Sequence, residues 1–259
     1  MSKVEQIFAA NKALGRDTLI GYFPGGYPSI NESVDACVAM CQNGIDILEL
    51  GVPYSDPVMD GLVIQQATEV ALENGFRLAD TFEIVRRITE RVSTPILVMT
   101  YWNPVLQFGI RKFAESLKAA GGVGLITPDL IVDEAAEWLK VSEELDLDRV
   151  FLATPTSSQH RIDVLVEASK GFVYTVSTMG ITGARTDLDA KARAVVGKIR
   201  EAKVERFTAV GIGISNKDQV SEVNTYADGA IVGSVFVRAY AEGGIEKLVQ
   251  VSLELSKER

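Results

Sequence analysis

The chain is expected to fold as an α/β protein, specifically a (β/α)8 or TIM-type barrel. Three observations predict this. Short apolar runs alternate with longer amphipathic stretches from end to end, the pattern of parallel strands joined by crossover helices. The short runs are nearly all apolar rather than alternating, as when both faces of a sheet are covered. Eight such units in 259 residues suit a closed barrel, with a doubly wound open sheet as the structural rival.

The eight predicted strands are Thr18–Phe23, Ile45–Leu50, Pro95–Thr100, Val123–Ile126, Arg149–Ala153, Phe172–Val176, Phe207–Gly211 and Gly229–Val232. Helical patterns between them include 31–42, 111–120, 133–145, 190–202 and 217–226. A leading helix over 4–14 is expected to cap the barrel floor, and the long stretch between the second and third strands has room for a functional loop and two helices. No Pro/Gly/Ser-rich linker or composition shift divides residues 1–259, so one domain is expected.

Twenty-six Lys and Arg against 35 Asp and Glu give a formal charge of −9. An acidic surface repels a phosphate backbone, which argues against nucleic acid. A small phosphorylated metabolite stays compatible, because a few backbone amides make a local positive site. Cys37 and Cys41, with His160 far away in sequence, are too few for a zinc centre, and both thiols are expected buried and reduced. No apolar run approaches the roughly 20 residues needed to cross a bilayer, and the first residues lack signal-peptide design. The cytoplasm is the expected location.

In the second strand, Ile45, Ile47 and Glu49 are expected on one face and Leu48 and Leu50 on the other. The leucines suit the helix layer, which turns Glu49 into the barrel near its C-terminal end, where barrel enzymes place their chemistry. Poor solvation there would raise its pKa toward the range useful for proton transfer. Taken alone, such a Glu suits a structural role equally well. The following loop, however, brings a second carboxylate, Asp60, close by, and two carboxylates in different surroundings can divide acid and base roles. After the seventh and eighth strands come Gly211-Ile212-Gly213-Ile214-Ser215 and Gly233-Ser234, the two places where barrels often bind phosphate through backbone N–H groups. No lysine is placed by motif as a Schiff-base donor at a strand end.

The segment Glu49-Leu50-Gly51-Val52-Pro53-Tyr54-Ser55-Asp56-Pro57-Val58-Met59-Asp60-Gly61 resembles the signature of tryptophan synthase α subunits. The likeness runs from Gly21-Tyr22-Phe23-Pro24-Gly25-Gly26-Tyr27-Pro28 to Gly233-Ser234, nearly the whole chain. It implies a lyase that cleaves indole-3-glycerol phosphate to indole and glyceraldehyde 3-phosphate with no cofactor of its own. Glu49 would protonate the indole carbon that bears the glycerol chain, and Asp60 would stabilise the charge developing at the indole N–H. Asp56 would serve loop geometry and subunit contact. The implied pocket contains Tyr22, Ile64, Met99, Tyr101, Ile126, Tyr174 and Ile212, supported by Asp129. The implied phosphate site contains Thr182, Gly183, Gly213, Gly233 and Ser234. Indole would pass to a partner β subunit that holds pyridoxal phosphate, in an α2β2 heterotetramer. Two departures from the family pattern are Thr178, where many members carry a basic residue, and Ile131, where a proline is usual. A purely binding effector and a different phosphosugar isomerase or lyase are the alternatives. The intact carboxylate pair and the length of the match count against them.

Overall fold

In the computed structural model, which describes residues 1–176, 185–211 and 213–257, the elements in chain order are α1 (Lys3–Ala13), β1 (Thr18–Pro24), α2 (Ile30–Gln42), β2 (Ile47–Gly51), α3 (Leu62–Glu73), α4 (Asp80–Thr89), β3 (Ile96–Met99), α5 (Trp102–Phe108), α6 (Ile110–Ala119) and β4 (Gly124–Ile126). They continue with α7 (Ala136–Glu144), β5 (Asp148–Val150), β6 (Leu152–Ala153), α8 (Gln159–Ala168), β7 (Val173–Val176), α9 (Arg185–Arg200), β8 (Thr208–Gly211), α10 (Lys217–Asn224), β9 (Gly229–Val232) and α11 (Ser234–Ser256). Every strand pairing is parallel, in the order β5-β4-β3-β2-β1-β9-β8-β7-β6. The two ends of that order, β5 and β6, are consecutive in sequence and separated only by Phe151. They are the two halves of one barrel strand, so the sheet closes on itself as an eight-position TIM barrel.

Inside, one apolar side chain comes from each strand position: Ile20, Ile47, Leu97, Ile126, Val150, Phe172, Ala209 and Ile231. All lie 5% exposed or less, so the interior is a packed core rather than a pore. Val4 and Phe8 of α1 join this cluster from below, and Phe8 stacks on Phe207 at 5.1 Å and leans on Phe172 at 5.6 Å. The leading helix therefore closes the floor, as expected. Its start is fixed by a reciprocal cap: the Ser2 hydroxyl accepts from the Glu5 N–H at 3.2 Å, and the Glu5 carboxylate accepts from the Ser2 N–H at 2.9 Å. Leu19, Phe23, Leu48, Leu50, Val98 and Leu125 face the other way, into the helix layer.

Five expectations need correction. The second strand begins at Ile47, not Ile45, because Asp46 is taken up by β1: its N–H donates to the Leu19 carbonyl and its carboxylate accepts from the Leu19 N–H. Alternation does not reach back past that point, and Ile45 packs in the outer layer beneath Gly21 instead of sharing the face of Glu49. The helix expected over 133–145 is a 3-10 turn at Val132–Glu134 followed by α7, the one expected over 190–202 runs from Arg185 to Arg200, and the one expected to Tyr226 stops at Asn224. Finally, Cys37 is buried but Cys41 only half-buried. Burial pushes the Cys37 thiol up and the Cys41 thiol to about 12, so both stay protonated near neutral pH.

Candidate active site

Strand side chains alternate faces, so two residues beyond the packed interior layer comes the next inward layer, at the C-terminal mouth. Ile20 leads to Tyr22, Ile47 to Glu49, Leu97 to Met99, Phe172 to Tyr174, Ala209 to Gly211 and Ile231 to Gly233. This arithmetic puts an acid, two tyrosines and two glycines where the layer below is wholly apolar. Tyr22 and Glu49 sit opposite each other in the β1–β2 register.

The glycines make room for the rings. A Cβ on Gly51 would collide with the Tyr22 hydroxyl, and one on Gly211 would come within 2.6 Å of the Tyr174 hydroxyl. At Gly233 a Cβ would meet the Tyr22 ring at 3.3 Å. The tyrosine rings can thus occupy these positions only because Gly51, Gly211 and Gly233 carry no side chain.

Glu49 is 1% exposed, and neither carboxylate oxygen has a hydrogen-bond partner among the described residues. Burial, and secondarily the charge of Asp60, raise its pKa from 4.5 to about 8. Asp60 is half-buried; burial raises it to about 6, while the neighbouring Tyr101 hydroxyl pulls it down. At neutral pH Glu49 therefore keeps its proton while Asp60 is largely ionised, the division of roles that acid/base catalysis needs. Burial, and secondarily the charges of Glu49 and Asp60, hold the Tyr22 and Tyr174 hydroxyls well above the usual tyrosine range.

Tyr22, Asp60, Met99 and Tyr101 line one cleft with Gly51, Val52, Thr100 and Pro128. Ile126 is fully buried within the interior cluster, with Met99 and Tyr174 packed against it, and Ile64 is half-buried in the first turn of α3. Asp129 is exposed and lies outside the cleft; both of its carboxylate oxygens accept from the Trp102 N–H, at 2.8 and 3.1 Å, which fixes the first turn of α5. Ile131 takes the extended conformation that a proline also favours, with φ −90° and ψ 151°. Gly213 is exposed with φ 67°, a left-handed conformation open to glycine at no steric cost. Gly233 and Ser234 begin α11, whose N-terminus has no side-chain cap. Thr178, Thr182, Gly183 and Ile212 lie outside the described residues. Sequence reasoning missed Gln65, whose side chain donates to the Asp60 carbonyl at 2.7 Å; a side-chain bond to one backbone carbonyl leaves no periodic trace.

A family model described as tryptophan synthase alpha chain matches residues 8–258. The chain belongs to the tryptophan synthase alpha chain family. The tryptophan synthase alpha chain of Leifsonia xyli subsp. xyli is 56% identical over 257 residues, covering 99% of this chain and 98% of that one. The alpha chain of Mycobacterium intracellulare is 49% identical over 255 residues, covering 98% and 93%. Among solved structures, an aminoacrylate-bound tryptophan synthase from M. tuberculosis superposes with a TM-score of 0.91 at 44% identity, covering 99% of this chain and 98% of that chain. The alpha subunit from Legionella pneumophila reaches 0.90 at only 27% identity, with 99% and 98% covered. The tryptophan synthase alpha family is a lyase family, whose alpha subunit cleaves indole-3-glycerol phosphate and feeds indole to the β subunit.

Proposed function

We propose that in this chain Glu49 and Asp60 carry out the alpha-subunit reaction between them. Glu49, protonated at neutral pH, gives its proton to the indole carbon bearing the glycerol chain. The ring becomes a positively charged indolenine, and the Asp60 carboxylate stabilises that charge at the ring N–H. The Glu49 carboxylate so formed then accepts the proton of the adjacent glycerol hydroxyl. As that hydroxyl becomes a carbonyl, the carbon–carbon bond breaks, its electron pair returns to the ring, and indole and glyceraldehyde 3-phosphate result. One proton enters at carbon and one leaves from oxygen, so the enzyme ends as it began. The observation that carries this reading is a fully buried, unpartnered carboxyl with a pKa of about 8 at the barrel mouth, coupled to a second carboxylate near 6.

The substrate pocket in this reading is formed by Tyr22, Ile64, Met99, Tyr101, Ile126, Tyr174 and Ile212, with Asp129 supporting it from outside. The phosphate is received by Gly213, Gly233 and Ser234, together with Thr182 and Gly183. The uncapped N-terminus of α11 suits this role, because its first N–H groups and the helix dipole favour an anion. The reaction needs no organic cofactor in this chain, and pyridoxal phosphate belongs to the β subunit. Residues 1–259 act as one domain, in the cytoplasm; among the described residues no helix is long and apolar enough to cross a membrane. The test is to incubate the purified chain with indole-3-glycerol phosphate and follow indole release, with and without β subunit. Absence of indole release in both conditions would overturn the reading.

A further inference from the structure

The residue that puts Asp60 in place is not obvious from the loop that carries it. Ser55, Asp56 and Val58 are exposed, Val58 to 80%, and the loop's internal bonds are two backbone turn contacts, Val58 N–H to the Asp56 carbonyl and Asp60 N–H to the Pro57 carbonyl, and one between adjacent side chains, the Ser55 hydroxyl to the Asp56 carboxylate. A segment held only in this way would let a carboxylate wander by more than catalysis tolerates.

Two side chains from outside the loop grip it at its end. The Tyr101 hydroxyl accepts from the Met59 N–H at 2.8 Å. The Gln65 side-chain amide donates to the Asp60 carbonyl at 2.7 Å. That carbonyl stands outside the helix ladder, since both Ile64 and Gln65 send their backbone N–H groups to the Gly61 carbonyl. The two bonds bracket Met59 and Asp60, one on the Val58–Met59 peptide and one on the Asp60–Gly61 peptide. Each anchor is itself fixed. Gln65 stands on the first turn of α3. Tyr101 packs its ring against Tyr54 at 5.3 Å and precedes the Trp102 N–H bound by Asp129. The same hydroxyl favours the ionised form of Asp60.

We propose that Gln65 and Tyr101 are positioning residues that clamp the Met59–Asp60 segment from both sides and so hold the Asp60 carboxylate against the indole N–H. The clamp rests on the reading of Asp60 given above. It confines the loop's freedom to residues before Met59, so that the exposed part can move or meet a partner without displacing the charge.

The test uses the chain together with its β subunit and compares Gln65→Met, Gln65→Glu, Tyr101→Phe, Asp60→Asn and the Gln65→Met/Asp60→Asn double variant. Gln65→Met keeps side-chain length and loses the donor. It is expected to lower kcat about tenfold, the worth of a well-placed hydrogen bond, with KM little changed. Gln65→Glu, of the same shape but with a repelling oxygen, is expected to lose at least as much. Tyr101→Phe should move the acid limb of the kcat–pH profile upward, and Gln65→Met should leave that limb where it is. In the Asp60→Asn background Gln65→Met should cost nothing further, because nothing remains to be positioned. An equal loss in both backgrounds would make Gln65 merely structural and overturn the clamp. Turnover lost in Asp60→Asn but kept in Gln65→Met would overturn the clamp alone. Full turnover in Asp60→Asn would overturn the reading of Asp60 and the clamp with it.

Discussion

A carboxyl that meets no hydrogen-bond donor in a protein interior is held neutral by the cost of desolvating its charge. For Glu49 this couples its proposed catalytic role to stability. Its folded-state pKa of about 8 lies above the ordinary 4.5, so its contribution to stability is fully present below about 4.5 and is lost as pH rises through about 8. Glu49→Gln cannot ionise and should escape that loss. Thermal melts between pH 5 and 9 are expected to show the wild type falling relative to the variant, by a few kcal/mol at the alkaline end. The same substitution should reduce indole release about 10²–10⁴-fold with the fold intact; near-normal release would remove Glu49 from the mechanism. Because the proposed mechanism has Glu49 protonated and Asp60 ionised, kcat/KM is expected to be bell-shaped, with apparent limbs near 6 and 8 belonging to the coupled pair. A profile flat from pH 5 to 9 would contradict the assignment. Glu49 was legible in the sequence because strand alternation, once the leucines are placed outward, leaves it only the inward face. Ile45 was misplaced by the same rule, because the rule was carried beyond the strand's true start at Ile47.

Elements were legible where one force decides them. Continuous apolar runs located the strands to within two residues, and the 3.6-residue pattern located most helices. What escaped was settled by contacts distant in sequence. Arg149 exchanges antiparallel backbone bonds with Lys170 and salt-bridges Glu143, and such partners cannot be inferred from the run Arg149–Ala153. The floor and the mouth should respond differently to mutation. Phe8→Ala removes a ring packed against Phe172 and Phe207 and is expected to cost about 3–5 kcal/mol of stability with turnover per folded molecule little changed. Gly51→Ala should do the reverse. Its Cβ would displace the Tyr22 ring, so kcat/KM for indole-3-glycerol phosphate should fall more steeply than the melting temperature. Denaturant melts and steady-state kinetics on the two variants check both outcomes.

At the scale of the molecule, one end of the barrel is sealed by α1 and the other is left for chemistry and for the partner. The exposed Val58 and Ile131 border a groove at the mouth, whereas the floor carries the packed phenylalanines of the α1 contact. Mixing the chain with its cognate β subunit is expected to shift its elution in size-exclusion chromatography and to raise the lyase rate; separate elution at an unchanged rate would refute the partnership.

The interruption at Phe151 also bears on how the barrel comes apart. Among the described strands β5 pairs with β4 and β6 with β7, over three and two residue pairs, whereas β1 and β2 share five; Arg149 of β5 adds a single bridge to Lys170. The ring of hydrogen bonds is therefore a ribbon joined at its ends by one residue of covalent chain and by the adjoining bonds from the Thr127 N–H to the Val150 carbonyl and from the Tyr174 N–H to the Phe151 carbonyl. Local opening should begin at that seam, where no ladder joins β5 to β6 and the flanking ladders are short. In hydrogen–deuterium exchange the amides of Val150, Leu152 and Ala153 are expected to lose protection before those of Ile20 or Leu48.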